Sequence, residues 1–331
     1  MKPILTASRL ETKQRCDMRD YYSYERNYRP VGLTKGLAIG TMVHKGLESF
    51  WTQQTINEAY DAMETVKKEE PLFWEGPHGE LAHELSHLYV YGYYKKYQEE
   101  MVNQVNDGLI NNIEVEKEFC VEIEGHTFAG KLDVLYFDKQ DNPVIIEHKT
   151  ASSLASDMTS PYWTSLPMNI QLTIYKKAIQ QLYGTTLQPI TIYDVILTTT
   201  KKPSQKRPYL KKSDFSTPEE HEEAKLANLE SPEEFIKRIG GDYYTYNDPH
   251  KKYRRQEIIT ADYAYNDRFR QLLLLEKTMP SNRPEQERYR NTAACSDYGG
   301  CPFLDVCLGH GMLESAAFTK KKKRHPELKS V

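Results

Sequence analysis

A chain of 331 residues with 39% apolar content holds enough hydrophobic material for one large core or two small ones. Its formal net charge of −3 argues against a general nucleic-acid coat, so any contact with nucleic acid must come from local basic surface. No apolar run approaches the roughly 20 residues of a membrane span, and the expectation is a soluble, intracellular protein.

In chain order, the part through about Gln104 reads as helices. Between Gly40 and Trp51, Met42, Val43, Leu47, Phe50 and Trp51 recur at helical spacing around His44. A lone histidine in such a helix is usually a packed core residue. His83-Glu84-Leu85-Ser86-His87 fits H-E-x-x-H, which on a helix sets two histidines four apart to grip zinc, with the glutamate as general base of a metalloprotease. The extended form of that motif is missing, since Val90 and Tyr93 stand where its glycine and third histidine would be. Glu99, Glu100 or Asp107 could serve as a third ligand; an exposed helix face is the plainer reading.

Ile113 to Ile123 alternates as a strand, with Cys120 read as plain packing. Phe128 to Phe137 and Val144 to Lys149 are two apolar stretches separated by turn chemistry at Asp138 to Pro143, which predicts a β-hairpin. Met168 to Tyr183 is periodic as a helix and puts Gln171 and Tyr175 on one face. The strand Ile190 to Thr199 follows, giving a strand-helix-strand crossover. Lys201, Lys202, Lys206, Arg207, Lys211 and Lys212 then cluster without an intervening acid. Lys251, Lys252, Arg254 and Arg255 make a second basic group and Lys320 to Arg324 a third, in a tail expected to be disordered. Residues 201–255 as a whole read as an inserted arm with a helical patch at Pro218 to Leu229, and Thr260 to Lys277 as a further helix. Several of the 24 tyrosines occur in pairs, at Tyr21-Tyr22, Tyr93-Tyr94 and Tyr243-Tyr244. Aromatic faces of this kind can stack unpaired bases, though most will be packing.

The hairpin carries the chemistry. Side chains alternate across a strand, so Glu147 and Lys149 leave one face while Ile146 and His148 leave the other. With Asp133 facing them from the neighbouring strand, two carboxylates and an ammonium converge. Such carboxylates repel unless a cation sits between them, and hard oxygen ligands suit magnesium or manganese. A lysine beside that ion can position or deprotonate water, which points to metal-assisted hydrolysis of a phosphodiester. Taken alone, these three residues fit a surface hairpin with a polar rim better than a metal site.

The ordered set His44, Asp133, Glu147-x-Lys149, Gln171-x-x-x-Tyr175 resembles the PD-(D/E)XK nuclease superfamily, specifically its RecB-like branch, from about Ser8 to Leu308. The resemblance implies that His44, Asp133, Glu147 and the backbone carbonyl of His148 hold a Mg²⁺ or Mn²⁺ ion. Lys149 would handle the attacking water, and Gln171 and Tyr175 would steady the DNA strand. The proline that gives the superfamily its name is absent, Leu132 standing before Asp133. Of five cysteines, three fall in Cys295-x5-Cys301-x5-Cys307, where glycines and a proline free the backbone, and such clustering points to metal or cluster ligation more than to disulfides. The resemblance supplies Cys16 as a fourth ligand of a 4Fe-4S cluster that pins the chain ends together. Family members commonly have two residues between the first C-terminal pair where this chain has five, and tetrahedral zinc is the rival occupant.

These readings predict an α/β protein with a restriction-endonuclease-like core: a mixed β-sheet flanked by helices, a helical N-terminal region and a C-terminal cysteine cluster. Residues 1–318 would be one domain, with 1–104 helical, 112–200 the catalytic core, 201–255 a basic arm over the DNA path, 256–310 helix and cysteine cluster, and 319–331 a tail. The expected function is a metal-dependent deoxyribonuclease, more an exonuclease on single strands or DNA ends than an endonuclease, in recombination, repair or phage DNA processing. Lys201, Lys202, Lys206 and Arg207 would meet phosphates. Implied partners are DNA and a recombination, helicase or CRISPR-adaptation protein or further copies of the chain, in the cytoplasm of a prokaryotic or phage-infected cell. A non-catalytic DNA-binding module of the same fold is the alternative, and a zinc protease at His83 and His87 a remote one.

Overall fold

The computed structural model describes residues 3–68, 71–151, 155–186, 188–206, 210, 212–244, 252–280, 283–297, 300–321, 325 and 328. Its elements in chain order are β1 (Ile4–Leu5), α1 (Ala7–Arg15), α2 (Asp17–Asp20), β2 (Tyr28–Pro30), α3 (Lys35–Trp51), α4 (Ile56–Glu64), α5 (Pro71–Trp74), α6 (Pro77–Asn106), β3 (Asn111–Ile123), β4 (His126–Phe137) and β5 (Pro143–Ala151). They continue with α7 (Pro161–Thr164), α8 (Ile170–Tyr183), β6 (Ile190–Leu197), α9 (Pro218–Ala227), α10 (Pro232–Ile239), α11 (Gly241–Tyr244), β7 (Tyr253–Glu257), α12 (Asp262–Thr278), α13 (Leu304–Cys307) and β8 (Phe318–Lys320).

Local chemistry sets the hairpins. Glu124 and Gly125, both at positive φ, close the two-residue turn between β3 and β4, the geometry that matches strand twist. Between β4 and β5, the Asp138 carboxylate accepts the backbone N–H groups of Gln140 and Asn142 at 2.8 and 2.9 Å. β5 then crosses through α8 to β6 in parallel, as expected for a strand-helix-strand unit. Asn169 caps the start of α8, and Gly184 in the left-handed conformation ends it. The main sheet has six strands in the order β1-β4-β5-β6-β7, with β3 on the other edge of β4.

β5 is buried on both faces, which is why its sequence is a continuous apolar run and not an alternating one. Ile146 faces a core built with α3 and α6, including Met42, Leu47, Phe50 and Tyr93. Ile145 faces a second core built with α1, α8 and α12, including Leu10, Ile174, Ile179 and Phe269. The two layers of helix hold the sheet between them, the mixed α/β arrangement expected of the sequence. α3 approaches α6 closely at Gly46, where a Cβ would stand 2.6 Å from a Val90 methyl carbon.

Several expectations are corrected. The end of the supposed arm belongs to the body: β7 pairs antiparallel with β6, and Phe235, Ile239, Tyr243 and Tyr253 are in the core against α6. The helical patch at Pro218 is present as α9. Cys120 is exposed on β3, because its side of that strand faces away from the Phe119 and Val121 core. Of the expected tail, Thr319 and Lys320 lie in β8, which pairs with β2, while residues 322–324, 326–327 and 329–331 lie outside the described residues. Tyr22, Tyr93, Tyr94 and Tyr243 are buried packing and not base-stacking platforms.

Arg255, read from sequence as basic surface, instead reaches from β7 to Asp194, a fully buried carboxylate that also accepts from Tyr93 Oη at 2.6 Å. Arg255→Met leaves that carboxylate without its cation and should cost about 2 kcal/mol in urea unfolding. The figure falls below the roughly 3–5 kcal/mol of a wholly buried pair because the Arg255 side chain keeps 24% exposure. The double change Asp194→Asn with Arg255→Met should cost less than the single one. An unchanged urea midpoint for Arg255→Met would show the pair to be irrelevant to stability.

Candidate active site

β4 and β5 pair from Phe137 and Pro143 as far as Val134 and Ile146, and then part. Further along that edge of β4, at Thr127 and Phe128, β1 takes the place of β5. Asp133 stands at the fork, and its Oδ2 accepts the backbone N–H of His148 at 2.8 Å. A side-chain carboxylate thus replaces the ladder bond that the diverging strand loses. Glu147 and Lys149 leave β5 on the same side, where Lys149 Nζ donates to Glu147 Oε1. His44 reaches the fork from α3, with Nδ1 3.4 Å from Asp133 Oδ1. The His148 ring leaves the opposite face toward Trp51, Tyr93 and Asp194, while its backbone N–H attends the site.

Gln171 and Tyr175 stand behind this group. Gln171 Nε2 donates to Tyr175 Oη at 2.9 Å, and Tyr175 Oη donates to the Lys131 carbonyl at 2.7 Å. Tyr175 is only 5% exposed, so it fastens α8 to β4 and is not placed to touch a DNA strand. That corrects the expected contact for Tyr175.

Burial, then the neighbouring Asp133 charge, pushes Glu147 up to about 7 against the pull of Lys149 and His44. Burial also opposes ionisation of Asp133, but His44 beside it, with Lys149 and His148, holds that carboxyl below its usual range. Lys149 is desolvated yet kept firmly protonated by Glu147 and Asp133. Burial drives His148 down to about 4. Glu147 Oε2 is shielded from solvent and has no hydrogen-bond partner among the described residues. A buried carboxylate with an orphaned oxygen, Glu147, and a half-buried one, Asp133, beside an imidazole make a donor set that fits a divalent cation. With Glu147 Oε1 engaged by Lys149, these donors do not converge as tightly as Glu64, His83 and His87, whose ligand atoms all lie within 4.8 Å of one another.

A cleft of about 1160 Å³ opens on His44 and Asp133, between α3 on one side and Glu114 to Glu118 of β3 on the other. Its walls carry paired charges, Lys45 with Glu48, Lys117 with Glu114 and Lys131 with Glu116, so it is not a simple basic channel. Two residues here escaped the sequence reading. Glu116, at φ +54°, lies between the β3 residues that pair with Val134 and Leu132, and so opposite Asp133. Glu11 on α1 lies within electrostatic reach of Lys149, its carboxyl raised by burial against the pull of Lys149, Arg15 and Arg268. No spacing marks either residue; only strand register and the packing of α1 on α8 bring them in. Of the basic residues expected to meet phosphate, Lys201 pairs with Asp242 and Lys206 with Glu234, both at 2.7 Å; Lys202 is exposed and Arg207 lies outside the described residues.

A second constellation joins the chain ends. Cys16, at the break between α1 and α2, and Cys295, Cys301 and Cys307 line one cavity of about 130 Å³ together with Arg19, Tyr22, Arg290 and Phe303. The Cys301 N–H donates to the Cys295 carbonyl at 2.7 Å, which brings the backbones of these two cysteines together. Burial raises the Cys301 and Cys307 thiols, and neighbouring cysteines add to the rise. All four are free thiols, and two arginines at the wall offset thiolate charge, so the donor set fits a four-thiolate iron-sulfur cluster or zinc.

The sequence model of the PD-(D/E)XK nuclease superfamily matches residues 4–308. No curated protein sequence matches the chain. A crystal structure of a candidate exonuclease from Eubacterium rectale aligns over 94% of this chain and 90% of its own, at 12% identity and a TM-score of 0.48. That of SSO0001 aligns over 57% and 71%, at 16% identity and a TM-score of 0.21. Neither structural likeness is close enough to carry an argument.

A cation that binds only the folded fork stabilises the protein by mass action. At about 100 times its dissociation constant this is worth ~2.7 kcal/mol, a rise in Tm of roughly 4 °C for a chain of this size. Adding Mn²⁺ to chelator-treated protein should give that rise by scanning fluorimetry, and Asp133→Ala should remove it. The same rise in Asp133→Ala would place the responding site elsewhere.

Proposed function

The chain belongs to the PD-(D/E)XK nuclease superfamily, and from that premise we propose that it is a Mg²⁺- or Mn²⁺-dependent exonuclease acting on DNA single strands or ends. The observation that carries this reading is the meeting of Asp133, Glu147, Lys149 and His44 where β4 and β5 part. Asp133, Glu147 and His44 would hold the divalent ion, with the backbone carbonyl of His148 as a further ligand. When bound, such an ion lowers the pKa of water and offsets charge developing on the scissile phosphate.

The remaining roles fall to the protein's own groups. Lys149, held as an ammonium by Glu147 and Asp133, orients the attacking water or donates to a phosphate oxygen. Asp133 keeps His148 and the end of β5 in place while it offers its other oxygen toward His44. Gln171 and Tyr175 set the position of Lys131 on the cleft wall. Residues 1–318 act in this reading as one domain. Its setting is recombination, repair or phage DNA processing, with a recombination, helicase or CRISPR-adaptation partner or self-assembly.

Cys16, Cys295, Cys301 and Cys307 would hold a 4Fe-4S cluster, with zinc as the alternative. Its contribution there is structural, tying the first helices to the C-terminal segment. A DNA-binding module without catalysis is the second reading, and it leaves the buried Glu147 and its half-buried partner Lys149 unexplained, since binding alone needs no carboxylate at that depth.

Lys149→Ala should lower cleavage of end-labelled DNA by about 10³-fold or more while the protein still folds and binds DNA. Wild-type cleavage by that variant removes the proposed site; no cleavage by either protein, with DNA bound, favours the binding module. In protein purified without oxygen, Cys301→Ser should lose visible absorbance near the iron-sulfur bands and much of its soluble yield. An unchanged spectrum and melting temperature in Cys301→Ser count against cluster ligation.

A further inference from the structure

We propose that Glu64, His83 and His87 form a zinc-class metal site, separate from the Asp133 fork, that fastens the end of α4 to α6. Among the described residues these are the three ligand-type side chains whose donor atoms all lie within 4.8 Å of one another. His83 and His87 stand one turn apart on α6, with ring centroids 4.2 Å apart, and Glu64 is the last residue of α4. Glu64 Oε1 lies 2.5 Å from His83 Nε2 and 3.5 Å from His87 Nε2. Neighbouring ligands of a tetrahedral zinc are about 3.3 Å apart, given Zn–N and Zn–O bonds of about 2.0–2.1 Å. To admit the ion, Glu64, 46% exposed, must draw back from His83.

The surroundings aim each donor at a common point. Glu84 Oε1 lies 3.1 Å from His83 Nδ1, which leaves Nε2 for the metal, the carboxylate–histidine–metal relation that fixes tautomer and ring orientation. Lys67 Nζ holds the second oxygen of Glu64 at 2.8 Å. Tyr60 stacks on the His87 ring at 4.4 Å and 10°. His87 Nε2 is shielded from solvent and has no hydrogen-bond partner among the described residues, an orphan that a metal would satisfy. Two imidazoles and one carboxylate suit Zn²⁺ better than Mg²⁺. The same geometry argues against a protease here. Glu84, the would-be base, is turned to the outer nitrogen of His83, away from the point where the donors meet, and the third ligand is Glu64 in place of the expected Glu99, Glu100 or Asp107. Thr65 and Val66, next in the chain after Glu64, line the cleft that opens on His44 and Asp133, so the ion fixes one wall of that cleft.

The test uses the full chain, stripped with chelator and then offered zinc sulfate at about two equivalents, in wild type, Glu64→Gln, His87→Asn and Asp133→Ala. Bound zinc is counted by elemental analysis, and backbone hydrogen exchange is followed over residues 56–68. Wild type and Asp133→Ala should retain about one equivalent more zinc than Glu64→Gln and His87→Asn. Zinc should slow exchange of that segment roughly tenfold only where the three ligands are intact. Equal zinc in all four proteins, loss of zinc with Asp133→Ala instead, or unchanged exchange on loading overturns the assignment. If His87→Asn does not fold, Glu64→Gln, at an exposed position, carries the same readouts.

Discussion

The rest of the structure depends on the parting of β4 from β5 at Asp133. A strand that leaves its neighbour exposes backbone donors, and inside a protein each unpaired donor is costly. Here the Asp133 carboxylate takes the His148 N–H, so the opening is stabilised by the same group that gives the site its charge. The fork is held open from outside as well: β1 occupies the edge of β4 that β5 has left, and α3 sets His44 against the free oxygen of Asp133. Position and chemistry are therefore one arrangement, and neither can be altered alone.

The electrostatics follow from that enclosure. Buried Glu147 and half-buried Asp133 lie near one another, and the site responds by pushing Glu147 up and pinning Lys149 against it. A divalent charge between the two carboxylates would relieve the repulsion that raises Glu147. On the other face of β5, Asp194 gathers Tyr93, Arg255 and the nearby His148 ring into a polar layer under the site. It anchors β7 to the sheet, which explains why a segment rich in lysine and arginine ends as a strand and not as a free arm.

The chain ends meet far from the fork in sequence but are fixed as firmly. Arg9 pairs with Asp20, Arg288 with Glu25 and Asp17, and β2 with β8, in the same segments that carry the four cysteines. Buried ion pairs of this kind add little net stability over apolar packing, but they specify one arrangement of the segments that carry them. α1 is held by this clamp, and α1 carries Glu11 toward Lys149.

The sequence by itself determined the hairpin and the crossover, because those depend on short-range rules, while His44 joined the candidate site only through family likeness. Alternation put Glu147 and Lys149 on one face, turn chemistry joined the strands, and helical spacing set Gln171 beside Tyr175. Cys16 was recognisable as a partner of the C-terminal cysteines only through family likeness, since 278 residues separate it from Cys295 and no local rule spans that distance. Tertiary structure decided what long-range packing controls. It placed Glu116 and Glu11 at the site, buried the Tyr175 hydroxyl, took Arg255 from the surface to Asp194, and exposed Cys120. It also gave His83 and His87 their third neighbour, Glu64, on another helix. The physical reason is common to all of these. A residue's own neighbours in sequence fix its direction, but its partner across a sheet or between helices is fixed only when the whole core closes.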